Sequence, residues 1–149
     1  MSELESHKPR SECPITNVLD IVGDRWTLIV VRDMLLLGKH EYREFLEGPD
    51  GIATNILTDR LKRLSCAGIV QSMPHPENKT RKFYYLTERG KQLLPLMIEM
   101  IIWGATHLST VRVPPRLLYK IKKNREQFVR ETLQAITEWE EKVLGADPT

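Results

Sequence analysis

No apolar run in the 149 residues approaches the ~18 that a membrane-spanning helix needs. The opening stretch MSELESHKPRSECP has neither the basic flank nor the apolar stretch of a secretory signal, so the chain is expected in the cytoplasm, with no membrane partner. Cysteine is scarce, and Cys13 and Cys66 are expected to be reduced in that compartment. Charge of one sign is lacking as well: 22 Lys and Arg against 20 Asp and Glu leave a net charge of +2, so bulk charge does not announce nucleic acid. The four histidines, at 7, 40, 75 and 107, are scattered without metal-ligand spacing to a Cys or carboxylate. There is no glycine-rich phosphate loop and no nucleophile elbow. These absences argue against an enzyme, and no metal or cofactor is expected.

What is present is the composition of an ordinary globular protein, 41% hydrophobic and 28% charged. The length suits one domain with a real core. Residues 1–12 read as a flexible N-terminal arm. CPITNVLDIVG then predicts a short helix with Pro14 in its first turn and Gly23 as a left-handed stop. DRWTLIVVRDMLLLG predicts a helix capped by Asp24 and stopped near Gly38; it is apolar almost all round, which places it, Trp26 included, in the core. EYREFLEG supplies two turns of helix with Tyr42, Phe45 and Leu46 on one side, and PDG forces a turn.

GIATNILTDRLKRLSCAGIVQSM follows. At 100° per residue, Ala53, Leu57, Leu61 and Leu64 share one side of a helix ending at Gly68, and Thr54, Asn55, Thr58, Asp59, Lys62 and Arg63 occupy the other. Two short strands, IVQSM and FYYL, are joined by the polar PHPENKTRK, which carries Lys79, Arg81 and Lys82 and is stiffened by Pro74 and Pro76. The expected fold is mainly α with a small β-hairpin wing (α+β): a winged helix-turn-helix, dimeric, with an extra C-terminal helix. Between Lys39 and Lys91, ten Lys or Arg face seven Asp or Glu.

Short polar side chains on an open helix face have a physical use. A helix in a major groove about 12 Å wide must bring its side chains close to base edges. There Asn can pair with adenine, Thr can touch a thymine methyl, and Lys can reach guanine or phosphate. Arg81 on the hairpin suits a narrow minor groove, where negative potential is enhanced. Arg60 sits near the apolar arc, and two roles stand open for it, a structural stem packed on the core or a phosphate contact.

The stretches CPITNVLDIVGDRWTLIVVRDMLLLG, YREFLEGPDGI, LTDRLKRLSCAGIV and YYLTERGKQLLPLM resemble, in order and spacing, the HxlR family of winged-helix transcription regulators over Cys13 to about His107. The resemblance implies a homodimer on a palindromic operator in double-stranded DNA, each protomer laying a recognition helix in the major groove and a wing along the minor groove. Repressor and activator both stand open, with repressor among the expected roles. Glu41 stands where the family commonly has Arg, which moves the expected phosphate contact to Arg43. Ala53 stands where a Ser usually caps the recognition helix, with Thr54 as the substitute cap. Cys13 matches a position that serves some family members as an oxidant sensor; a thiol at a helix N-terminus permits that chemistry, and packing in a dimer interface explains it equally.

From Thr87, the expected N-cap, LTERGKQLLPLMIEMIIWGATHL predicts a helix with more apolar surface than one protomer covers. Residues 13–108 are thus read as the winged domain with its dimerisation helices. Residues 113–149 form a C-terminal extension with one long helix over about 116–145, which lengthens the dimer interface or shelters a small-molecule effector. The alternative to DNA binding is a winged-helix module for protein interaction or small-molecule binding.

Overall fold

The computed structural model describes residues 11–145. The expected arm, residues 1–12, lies outside the described residues except for Ser11 and Glu12. Residues up to Lys91 form one compact unit and those from Gln92 onward a second.

The first unit opens with α1 (Pro14–Val22), whose Pro14 occupies the first turn. The chain leaves it through Gly23 at φ −76°, which corrects the left-handed stop expected there. Gly23 stays right-handed and its amide donates to Leu19 O at 2.7 Å; a Cβ at this position would stand 2.2 Å from that same oxygen. Asp24 caps α2 (Arg25–Leu36), accepting from the amides of Trp26 at 3.0 Å and Thr27 at 3.2 Å. Val30, Val31, Met34 and Leu35 of α2 are buried, as an apolar helix requires. Trp26 is half-buried rather than in the core, because it lies about 100° off the stripe formed by Thr27, Val31 and Met34. The Arg25 guanidinium covers its ring at 4.9 Å.

Helix α3 (Tyr42–Leu46) and helix α4 (Thr54–Cys66) are joined through Gly51, whose φ of +71° suits a residue without Cβ. Leu57, Leu61 and Leu64 of α4 are each at most 3% exposed, and α4 packs against α2. Burial of such a side chain is worth about 1.5–3 kcal/mol, so this row of three fixes which face of α4 stays open. Gly68, at φ +71°, ends the helix as expected.

Strands β1 (Val70–Pro74) and β2 (Lys82–Leu86) form an antiparallel hairpin in which Val70 faces Leu86 and Met73 faces Phe83. A bridge from Glu41 to Phe83 adds a short third edge, held by the Tyr84 amide donating to His40 O at 2.7 Å. The Thr87 hydroxyl accepts from the Gly90 amide at 3.0 Å and so caps α5 (Glu88–Lys91).

The second unit holds α6 (Leu94–His107), α7 (Pro115–Lys123) and α8 (Arg125–Val143). Two helices expected to be continuous are broken. The one after Thr87 ends at Lys91 and restarts at Leu94, because Pro95 lacks an amide hydrogen and is tolerated only in a first turn. The C-terminal one breaks at Asn124, which is extended at φ −156° and caps α8 by accepting from the Gln127 amide at 3.0 Å. Ile121, Phe128 and Ile136 are buried, and α7 packs on α8. Leu96, Met100 and Trp103, on one side of α6, stay exposed, as do Ile15, Val18 and Leu19 of α1. Among the described residues, no helix is long and apolar enough to cross a membrane.

Candidate nucleic-acid interface

The buried leucine row of α4 leaves Thr54, Asn55, Thr58, Lys62 and Arg63 exposed together on the far side, with Asp59 half-buried among them. The first turn of this helix has no side-chain cap. Ala53 is the extended cap residue, and Thr54 is already helical, so it does not take over the cap as expected. Tyr42 of α3 holds that turn instead. Its hydroxyl donates to Thr54 O at 2.9 Å and lies 2.9 Å from Thr58 Oγ1. A phenol has one proton, so once it is given to Thr54 O the Thr58 hydroxyl must donate to Tyr42. Thr58 then offers its methyl group and an acceptor lone pair outward, while α3 and α4 are fixed in mutual angle.

Arg60 takes the structural role. Its Nε donates to Asp24 Oδ1 at 2.9 Å and its Nη1 to Asp59 Oδ2 at 2.5 Å, with 19% of the side chain exposed. Burial tends to raise the Asp24 pKa, but hydrogen bonds from Thr27 and Arg60 outweigh it and hold the carboxyl below its usual range. Asp59 also meets Arg63 Nε at 3.0 Å, one turn further on. It therefore sits between two guanidinium groups and is spoken for as an acceptor.

A second ionic cluster, which sequence reasoning missed, secures the turn between α3 and α4. Arg32 bridges Asp33 at 2.7 Å and Asp50 at 2.6 Å, and Lys39 approaches Asp33 at 3.4 Å. The hydrogen bond from Arg32 keeps Asp50 below the ordinary carboxylate pKa. An aspartate in the middle of an apolar helix was the available signal, since a buried carboxylate requires partners.

Glu41, where the family commonly has Arg, is the cap residue of α3. Its amide donates to Glu44 Oε1 at 3.0 Å in a capping box. The Glu41 carboxylate also pairs with Arg81 of the wing. Arg43 is exposed on α3. Arg43, Thr80, Arg81 and Lys82 line a groove of about 470 Å³ together with Tyr42 and the Glu41 carboxylate. Lys79 stands apart at the hairpin tip, in a turn where Asn78 Oδ1 accepts from the Thr80 amide at 3.0 Å. The structure thus gathers Thr54, Asn55, Thr58 and Lys62 on one helix face, and Arg43, Arg81 and Lys82 around one groove.

Cys13 is exposed at the cap position of α1. The Thr16 amide and hydroxyl and the Ile15 amide lower its pKa by hydrogen bonding to the thiolate. Cys66, also exposed, ends α4.

Two helices set at a fixed angle by a tight turn, followed at once by an antiparallel hairpin, make this protein a winged helix-turn-helix. Residues 21–112 match the HxlR-like helix-turn-helix family, and the chain belongs to it, a family of DNA-binding transcriptional regulators. An uncharacterized HTH-type transcriptional regulator of Synechocystis, sll1512, is 35% identical over 65% of this chain and 71% of its own length. The solved structure of PA1607 is similar with a TM-score of 0.61 and 33% identity, covering 72% of this chain and 77% of that one. The redox regulator HypR in its reduced form is similar with a TM-score of 0.58 and 30% identity, over 65% of this chain and 95% of the other.

Proposed function

We propose that the protein binds a palindromic operator as a cytoplasmic homodimer, inserting α4 of each protomer into a major groove and running the hairpin along the neighbouring minor groove. The observation that carries this reading is the open face of α4, where Thr54, Asn55, Thr58 and Lys62 stand exposed opposite three buried leucines. Asn55 and Thr58 read bases, Lys62 and Arg63 reach guanine or phosphate, and Asp59 orients Arg63. Arg43, Lys79, Arg81 and Lys82 neutralise phosphates, Arg81 after exchanging Glu41 for DNA. Repression by occluding a promoter needs nothing beyond that occupancy. Residues 13–108 carry DNA binding and dimerisation, and residues 113–149 are an extension.

A symmetric dimer is supported by the exposed apolar rows Ile15, Val18, Leu19 and Leu96, Met100, Trp103, the kind of clustered apolar surface that a partner chain covers. The test is selection of genomic fragments followed by titration over a salt series. Affinity is expected to fall steeply with salt as counterions are released, and Arg81→Ala to weaken every sequence alike. A salt-independent affinity, or a monomer in sedimentation, would overturn the reading.

A redox response is the second reading, favoured by the exposed, acidified Cys13 thiol and by the likeness to HypR. Diamide is expected to join the two Cys13 thiols of a dimer, taking up their two electrons and two protons, and to change operator affinity in the wild type but not in Cys13→Ser. Equal responses would leave packing as the role of Cys13.

A further inference from the structure

The family match ends at residue 112, and from Arg112 to Arg125 the chain carries six Lys or Arg and not one Asp or Glu. On α7, Leu117, Leu118 and Ile121 lie on the side turned to α8, with Ile121 only 1% exposed. The opposite side presents Arg116, Tyr119, Lys120 and Lys123, with Lys122 at its margin, all of them exposed. Among the described residues, none of these four cations forms an ion pair, whereas the next one, Arg125, is paired with Glu99. Glu131 lines a groove of about 290 Å³ together with Lys120 and Lys123, and its carboxylate accepts from Gln127 Nε2 at 2.8 Å.

This arrangement opposes helix stability in part. Lysines in the last turn complement the helix dipole, which accounts for Lys120, Lys122 and Lys123. Arg116, in the first turn, stands at the wrong end for that, and Arg116 and Lys120 are like charges four residues apart, a pairing that costs a few tenths of a kcal/mol. A merely solvated face would mix signs, as α8 does on its open side. Arg116, Lys120 and Lys123 form a row about 10 Å long at 1.5 Å per residue. Along about 10 Å of duplex axis each DNA strand carries about three phosphates. Tyr119, 61% exposed with the Lys123 ammonium 5.6 Å from its ring, adds a flat apolar surface within the row.

We propose that the open face of α7, formed by Arg116, Tyr119, Lys120, Lys122 and Lys123, is a second DNA-contacting surface that grips the phosphate backbone without reading bases. It rests on the DNA-binding reading above and adds affinity independent of sequence, supplied by a segment outside the matched family region.

The test compares full-length wild type, the R116Q/K120Q/K122Q/K123Q variant and the charge-preserving K120R/K122R/K123R variant on a mixed-sequence duplex and on a genomic fragment selected by the wild type. The glutamine variant is expected to lose tenfold or more in affinity on both duplexes. Its slope of log affinity against log salt falls by about 0.9 for each phosphate contact removed, while the arginine variant keeps the wild-type slope. All the altered side chains are exposed, so helicity by circular dichroism stays unchanged. A glutamine variant with the wild-type slope, measured beside an Arg81→Ala protein whose slope does fall, would overturn this proposal alone. Wild type without salt-dependent binding would overturn both readings. Unaltered slopes with a dissociated oligomer would assign the face to an acidic helix of a second copy instead.

Discussion

Helices α4 and α7 are built alike on their inner sides and differently on their outer ones. Each buries a row of branched aliphatic side chains, Leu57, Leu61 and Leu64 in one and Ile121 with its half-buried neighbours Leu117 and Leu118 in the other. Outside, α4 shows Thr and Asn, whose short side chains bring hydrogen-bonding groups within a few ångströms of the backbone. The outer side of α7 shows long flexible cations around a tyrosine. Short groups held in a fixed geometry discriminate between bases, whereas long ones follow a charge wherever it lies. On the two DNA contacts proposed above, side-chain length on the open face is what separates reading bases from gripping phosphates.

The largest effect is expected where the two helices agree. Leu57→Ala and Ile121→Ala each remove a fully buried branched side chain and are expected to cost about 2–5 kcal/mol in denaturant unfolding. A variant unfolding with the wild type would show that its helix is not held by that row. The next effect separates the helices. Asn55→Ala or Thr58→Ala is expected to relax base preference by about 1–3 kcal/mol at the affected position in a randomised-site selection. Neutralising α7 is expected to leave the selected sequence unchanged. A shifted consensus from α7 variants would erase the contrast.

A smaller effect is expected at Asp24, which has no counterpart among the ionic contacts of α7. Asp24→Ala removes the cap of α2 and the anchor of Arg60 together, about 0.5–2 kcal/mol by the usual worth of a cap. Because the folded-state pKa of Asp24 is depressed, its contribution is present above the unfolded value of about 3.9 and lost as pH falls through the folded value. Wild type is therefore expected to lose stability more steeply than Asp24→Asn on acidification below about pH 4. Parallel acid profiles would show that the carboxylate gains nothing from folding. Smallest of all is Arg63→Ala, which breaks an exposed pair with Asp59 one turn away, about 0.2–0.5 kcal/mol in stability. DNA affinity is expected to fall by more than that if Arg63 reaches phosphate.

The two faces of α4 were legible in the sequence because a period of 3.6 residues sorts Leu57, Leu61 and Leu64 from Asn55, Thr58 and Lys62 without reference to the rest of the fold. Asp24 as a cap and Gly68 as a stop were legible for the same local reason. Partnerships across the chain were not. Glu41 meets Arg81 forty residues on only because the hairpin register sets β2 beside the start of α3. Arg60 carried two readings until the fold brought Asp24 to it. The missed breaks differ in kind. Pro95 was a readable mark of a helix start inside a run that looked continuous, whereas Asn124 is an ordinary polar residue whose capping is decided by the turn it adopts.

The Asp24 carboxylate has a mechanical side. It follows Gly23 directly, the residue through which the chain leaves α1, and it holds both the first turn of α2 and the guanidinium of Arg60 on α4. One carboxylate thus joins the start of α2 to the middle of α4, a single residue beyond the glycine that ends the helix carrying the exposed thiol at its cap.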